Sequence, residues 1–323
     1  MFPMEPMKLK APLKDYLWGG HRLKKEFGKK TTLEKVAESW ELSCHKDGLS
    51  VIDGGEYAGL TLQEYADKMG KAVFGTHCEA FEEFPLLIKL IDAEQNLSVQ
   101  VHPSNEYALA VEGEYGKTEM WYVVDAKEGA SLIYGLNRTV GKEEFAARIR
   151  DNTLLEICNF VPVKKGDVFF IEAGTLHAIG AGILIAEIQQ NSNSTYRVYD
   201  YGRVGADGKP RQLHVEKALD VTRLAPAERV PGPASAPRSE GDLTRTLLGT
   251  CEYFTASLLE LDGLAEDCVG TESFHSLLVL EGSGELCWSG GCLALQKGGS
   301  FFLPAGFGAY TLKGKLELVQ SMV

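Results

Sequence analysis

The feature that most narrows the possible folds is the way this chain parcels its apolar residues. In place of long stretches with helical spacing it repeats short runs rich in β-branched and aromatic residues, each closed by Gly, Asn or Asp: LLIKLI, MWYVV, SLIYGL, DVFFI, ILIAEIQ, TYRVYDY, and later SLLVL, ELCW, SFFLP and LELVQ. Such runs suit strands, where branched side chains pack well on a pleated surface, and the turn signals keep each strand short. Many short strands in succession predict an all-β barrel or sandwich of the jelly-roll kind. Four segments read as helices instead. TLQEYADKMG opens with a capping box at Thr61 and Glu64, GKEEFAARIR has helical periodicity, TLLEICN repeats the capping box at Thr153 and Glu156, and HVEKALDVT is the fourth.

A composition break at LAPAERVPGPASAPRSEGD predicts a linker over residues 226–241, between a domain of residues 1–225 and a tail of residues 242–323. The tail resembles part of the front. GDVFFIEAGTLHA from Gly166 can be laid over GGSFFLPAGFGAY from Gly298, which predicts two related β domains. In that alignment His177 falls opposite Ala309. The second copy therefore lacks the one residue of the segment able to bind a metal, and any such site belongs to the first.

Charge and cysteine content bound the function further. With 45 acidic against 33 basic residues the net charge is -12, which disfavours nonspecific binding to nucleic acid or to an anionic membrane. An anionic substrate would need local positive charge to overcome that field. No apolar run approaches a membrane span and the first residues lack the apolar core of a signal peptide, so cytoplasm is the expected compartment. The 7 cysteines are scattered and odd in number, which predicts a reducing compartment and buried thiols and no disulfide framework.

The stretch NLSVQVHPSNEYA, residues 96–108, is the first that looks chemical. Ser98, Gln100 and His102 alternate with Leu97, Val99 and Val101, so in a strand the polar groups share one face and the aliphatic groups the other. Taken alone, this is a half-buried strand with one face in water. Partners elsewhere change that reading. GKTEMWYVVDA carries Lys117 and Glu119 at strand spacing, and GDVFFIEAGTLHAIG delivers His177 after a Gly-containing turn. Two imidazoles, a carboxylate and an amide oxygen suit zinc or another divalent first-row ion in an open, non-structural site.

The spacing of this set resembles the cupin motif pair, with Gln100 standing at the first position of the usual His-x-His. The surrounding segments resemble the class I mannose-6-phosphate isomerase family in its short bacterial form: WGG at 18–20, AESWELSCHKDG at 37–48, PLLIKLIDAEQNLSVQVHPSNEYA at 85–108, GKTEMWYVVDA at 116–126, GTLHAIGAG at 174–182 and EIQQNSNSTYRVYDYGR at 187–203. The resemblance implies a mainly β fold of two cupin-type jelly-roll β-barrel domains, with a few helices inserted in and around the first and a degenerate second domain. It implies one zinc ion per chain on Gln100, His102, Glu119 and His177, with Arg197 as the active-site arginine, Glu187 as a proton-transfer group and Lys117 as the site lysine. Ser98 falls at the phosphate end of the substrate. The activity implied is a zinc-dependent interconversion of mannose 6-phosphate and fructose 6-phosphate through an enediol, by a monomer or homodimer whose partner is a small phosphorylated sugar.

Other residues keep two readings. Arg203 either reaches the phosphate or is a solvated loop arginine; Trp18 and His45 either line a sugar pocket or belong to the core and a turn; the base is Glu187 or Lys117. Trp40 is expected in the core and Cys44 is expected to be inert. The chain departs from the family pattern at Glu172, Ala181, Asn193 and in the HPSN tetrapeptide. Those departures motivate an alternative function, a noncatalytic metal- and sugar-phosphate-binding homologue with a regulatory role.

Overall fold

Strands dominate, as the short apolar runs require. A computed structural model describes residues 4–204 and 208–323. The chain forms two units, one of Met1–Lys14, His21–Leu90 and Pro233–Val323, the other of Asp15–Gly20 and Ile91–Gly232. No helix among the described residues is long and apolar enough to cross a membrane.

The first unit is built on a 9-stranded antiparallel sheet. Its order runs Arg238–Glu240, Leu243–Thr250, Thr255–Val269, Gly308–Met322, His275–Trp288, Ser300–Leu303, Met7–Lys10 and Val51–Ile52, with Gly291–Gln296 paired to His275–Trp288. The N-terminal strand thus completes the C-terminal sheet, with Met7 opposite Phe302. Leu259, Leu277, Val279, Phe301, Leu312 and Leu318 pack its core. SLLVL and ELCW, expected as separate strands, are one strand of 14 residues. The register shift between Val279 and Glu281 takes up the polar interruption, and Gly282 supplies a φ of 84° that other residues rarely adopt.

The second unit has two sheets. Five strands run in the order Tyr196–Tyr199, Val99–Val101, His177–Ala178, Ser131–Leu136 and Cys158–Pro162; three more pair as Val168–Ile171, Glu119–Ala126 and Ile183–Gln190. Val99, Val101, Ile133, Leu136, Leu176 and Val198 form a core onto which the helices Lys142–Arg150 and Val215–Val221 set Phe145, Ile149 and Ala218. Val168–Ile171 and Ser300–Leu303 each follow, at the same spacing, a glycine of positive φ, Gly166 at 90° and Gly298 at 82°.

The Pro- and Ala-rich segment after residue 225 contains the passage between units, and backbone hydrogen bonds hold it down: Gly232 N donates to Val168 O at 2.8 Å and Ala234 N to Leu248 O at 3.1 Å. The capping box at Thr61 is formed as expected. Thr61 Oγ1 accepts from Glu64 N at 3.1 Å and Glu64 Oε2 from Thr61 N at 2.8 Å, opening the helix Leu62–Met69.

Two expectations need correction, and one helix adds to them. Thr153 makes no cap: its backbone is not extended (φ -111°, ψ 15°), Leu154–Ile157 is a single 3-10 turn, and Glu156 instead accepts from Arg148 Nη1 at 2.8 Å. A helix that the spacing did not reveal spans Asn105–Val111, with the Ser104 side chain capping it by accepting from Tyr107 N. The cysteines do include a disulfide, Cys287–Cys292. These two lie directly opposite each other where His275–Trp288 turns back into Gly291–Gln296, with Cα atoms 4.1 Å apart, a geometry that depends on hairpin register and not on cysteine count. Of the other five only Cys158 is buried and Cys268 is exposed.

Candidate active site

Strand pairing assembles the site within the second unit. On either side of Val99–Val101, both Arg197 and His177 pair directly with Gln100. Directly paired residues of antiparallel strands project to the same face, so this rung carries three polar side chains together. Val99 and Val101 point the other way and are fully buried. Ser98 and His102 flank the strand and are buried too, so the alternation read from the sequence is a true division into a core face and a site face.

The second sheet brings the complement. Glu119 pairs with Gln189 and Trp121 with Glu187, so Glu119, Trp121, Glu187 and Gln189 share a face. His102 Nε2 and His177 Nε2 stand 3.1 Å apart, and the Glu119 carboxylate lies 3.6 Å from the first and 3.4 Å from the second. All three side chains have at most 1% of their surface exposed, so no solvent dilutes their interaction.

Tautomers follow from the backbone. His102 Nδ1 lies 2.8 Å from Ser194 O, and His177 Nδ1 lies 2.9 Å from Thr175 O. A carbonyl only accepts, so each Nδ1 bears the proton and each Nε2 presents a lone pair. Burial pushes the His177 imidazole down to about 4, against the pull of the Thr175 carbonyl and with help from the Lys117 charge, so the ring is neutral at ordinary pH. Two lone pairs and a carboxylate converging on one buried point repel unless a cation lies among them. The donor set therefore fits a divalent ion of the zinc type. The Gln100 amide, at 3.4 Å from His177 Nε2, borders the same point, and its oxygen is the atom able to ligate.

Lys117 Nζ sits 2.9 Å from Glu119 Oε2 and 3.7 Å from Glu187 Oε1. Glu187 Oε2 accepts from Trp121 Nε1 at 2.9 Å, and the Trp121 ring meets His177 edge-on at 5.4 Å. Trp121 escaped the sequence reading although the period-two spacing of Lys117, Glu119 and Trp121 carries its signal.

A positive arm continues from the rung. Arg197 Nε donates to Ser98 Oγ at 3.2 Å and Nη1 to Gln212 O at 3.0 Å, while Arg197 N donates to His214 Nδ1 at 3.1 Å. Burial, followed by the charges of Arg211 and Arg203, lowers the guanidinium below its usual range. Arg211 donates twice to Asp200, at 2.7 and 2.6 Å, and Arg203 binds the same carboxylate. Burial acts to raise the Asp200 carboxyl, but the hydrogen bonds from Arg211 and Arg203 outweigh it and hold the group low. No spacing in the sequence singles out Asp200, Arg211 or His214.

The remaining candidates sit in other surroundings. Trp18 is buried beside Tyr16, ring centroids 5.6 Å apart, and its carbonyl accepts from Glu94 N and Gln95 N. His45 belongs to the first unit, where it stands edge-on to the fully buried Trp40 at 5.7 Å and its Nδ1 accepts from Asp47 N at 3.1 Å. Cys44 is a resting thiol that burial pushes far up. The departures from the family pattern serve the scaffold: Glu172 pairs with Arg223 and Arg229, Ala181 N donates to Asn96, Asn193 N donates to Glu114, and Ser104 caps its helix.

Comparison with known proteins identifies the family. The description "Phosphomannose isomerase type I, catalytic domain" matches residues 7–130, and "Mannose-6-phosphate isomerase, cupin domain" matches residues 244–323. The mannose-6-phosphate isomerase of Streptococcus mutans is 40% identical over 319 residues, 98% of each chain. The crystal structure of the Bacillus subtilis mannose 6-phosphate isomerase superposes with a TM-score of 0.89 at 37% identity, over 98% of this chain and 99% of that one. A crystal structure of a mannose 6-phosphate isomerase bound with zinc and yttrium shares the fold, with a TM-score of 0.76 at 19% identity over 98% of each chain. Mainly β and with a cupin domain, the chain is an enzyme of the cupin isomerase class. It belongs to the type I mannose-6-phosphate isomerase family.

Proposed function

We propose that this enzyme interconverts mannose 6-phosphate and fructose 6-phosphate, that it depends on zinc, and that the reaction passes through an enediol. The observation that carries the proposal is the buried meeting of two imidazole lone pairs with the Glu119 carboxylate, in a chain aligned along 98% of its length with a named isomerase. The zinc-bound relative supports the choice of ion. Catalysis is assigned to residues 1–225, and residues 242–323 are read as a degenerate second copy.

Aldose–ketose isomerisation removes a proton from carbon 2 and returns one to carbon 1. That carbon acid is far weaker than a carboxylic acid, so developing negative charge on oxygen must be stabilised. Zinc held by His102, Glu119 and His177, with Gln100 as fourth ligand, would supply Lewis acidity at the sugar oxygens. Glu187 is the proton carrier in this reading. Trp121 fixes one of its oxygens by the indole N–H, leaving the other beside Lys117. Lys117 lies between Glu119 and Glu187, offsets their mutual repulsion, and is the competing base. Arg197, anchored at Ser98 and Gln212, would add a fixed positive charge where the enediolate forms.

A coupled assay on purified protein tests the whole reading. Turnover of mannose 6-phosphate is expected, lost with chelator and regained with zinc. Metal-free protein working at full rate removes the zinc dependence, and zinc-loaded protein without turnover removes the isomerase.

A further inference from the structure

The Gln189 side chain is fully buried, and its Oε1 accepts no hydrogen bond from any of the described residues. A carbonyl oxygen taken out of water without a donor costs free energy, which is recovered when a ligand brings one. The amide cannot turn over to relieve the cost. Gln189 Nε2 donates to Gln190 O and to Ser192 O, both at 2.7 Å. Carbonyls only accept, so the nitrogen has to stay on these two and the oxygen has to face away from them. One end of the amide thus ties down the turn after the strand Ile183–Gln190, and the other end is left over.

Strand pairing decides what surrounds that oxygen. Gln189 stands directly opposite Glu119, and Glu187, two residues before it, opposite Trp121. Gln189 therefore lies on the face that carries both site carboxylates, with its Cβ about 4.5–5.5 Å from that of Glu119. The donors named on this face are committed elsewhere. Lys117 Nζ lies 2.9 Å from Glu119 and 3.7 Å from Glu187, Trp121 Nε1 donates to Glu187, and the Nδ1 protons of His102 and His177 go to backbone carbonyls. A cation would be drawn to the two carboxylates before a neutral amide, and an anion would meet only oxygen. A neutral hydroxyl is the group that suits the position.

We infer that Gln189 Oε1 accepts a hydrogen bond from a hydroxyl on carbon 2, 3 or 4 of the bound sugar, and that Gln189 is a specificity-determining residue for that hydroxyl. Glu119 and Glu187 belong to the reacting end of the sugar in the isomerase reading, so their neighbour meets a hydroxyl at or near that end. The inference rests on that reading for the identity of the sugar, whereas the fixed and unfilled acceptor stands without it. A site built to receive a hydroxyl rejects an analogue that lacks it, because its own polar atom is then left buried and unpaired.

The test compares wild type, Gln189→Met and Gln189→Asn as full-length zinc-loaded protein. Methionine keeps the reach of the side chain and removes the amide; asparagine keeps the amide and draws it back by one methylene. Dissociation constants are measured by calorimetry for mannose 6-phosphate and for its analogues lacking the hydroxyl at carbon 2, 3 or 4 in turn. Gln189→Met should bind mannose 6-phosphate about 5- to 30-fold more weakly than wild type does. For one analogue the substitution should change the affinity less than about twofold, because the hydroxyl that Gln189 receives is already gone. Zinc affinity, read by competition with a chelator, should change less than about threefold, as expected of a residue that does not ligate the ion. Unchanged affinity for mannose 6-phosphate overturns the inference. So does an equal loss with every ligand, which assigns Gln189 to the turn alone, and so does a large loss of zinc, which makes it a metal ligand. If Gln189→Met does not fold, Gln189→Asn decides by the same criteria. A wild type that binds the sugar phosphates but turns over none refutes the isomerase reading and leaves the affinities to judge this one, and a wild type that binds none overturns both.

Discussion

At the scale of single residues, the site separates groups that hold from groups that act. Trp121 makes its one polar contact with Glu187, so Trp121→Phe keeps the ring and removes only the donor. A hydrogen bond to a charged group is worth about 1.5–3 kcal/mol, so kcat should fall by roughly 10-fold or more with KM little changed and the melting temperature close to wild type. Steady-state kinetics beside a thermal melt check both halves. Glu119→Gln asks a different question, because it removes the one carboxylate of the proposed ligand set while preserving its shape. Elemental analysis after dialysis should show far less than one zinc per chain, and stoichiometric zinc in that variant would move the metal elsewhere.

Among the secondary-structure elements, two similar sequence signals had opposite fates, and the difference is measurable. Thr61 sits in extended backbone (φ -70°, ψ 158°) and closes its box with Glu64. Thr61→Ala should therefore cost about 1 kcal/mol in a urea melt. Thr153→Ala should cost almost nothing, since Thr153 caps no helix. The Thr-x-x-Glu pattern states what a residue can do, but Arg148, one helical turn before Asn152, claims the Glu156 carboxylate first. The same limit governs the rest. The alternation of Ser98, Gln100 and His102 was legible because period two is a local property, and so was the division of Val99 and Val101 to the core. The Trp121–Glu187 contact, the Arg211–Asp200 fork and the Cys287–Cys292 bridge were not, because each is fixed by which strand or loop meets which, at what register. Long-range register leaves no trace in spacing.

For the whole molecule, stability should report on the site. A metal that binds only folded protein stabilises by about 2.7 kcal/mol at 100 times its dissociation constant, so zinc should raise the melting temperature of chelator-treated protein, and His177→Ala should lose that response. The acid limb of the stability curve carries the mark of Asp200. Its folded carboxyl titrates below the ordinary range, so the unfolded chain binds the proton more readily; the stabilisation is full above the unfolded value of about 3.9 and is lost as pH falls through the folded one. Asp200→Asn should flatten stability below about pH 4 relative to wild type, read from melts across that window. A parallel offset at every pH would assign Asp200 a packing role alone.

The rung in which Arg197 and His177 both pair with Gln100 has a consequence for how the enzyme comes into being. A slip of the strand Val99–Val101 by one residue would turn Gln100 into the core and bring a valine to the site face. His177 and Arg197 would lose their common neighbour in the same event. Such a chain would keep His177 and Glu119 but lose Gln100 from their side, so under the proposed reading a metal ion would be held fully only by molecules whose central strand has found its register.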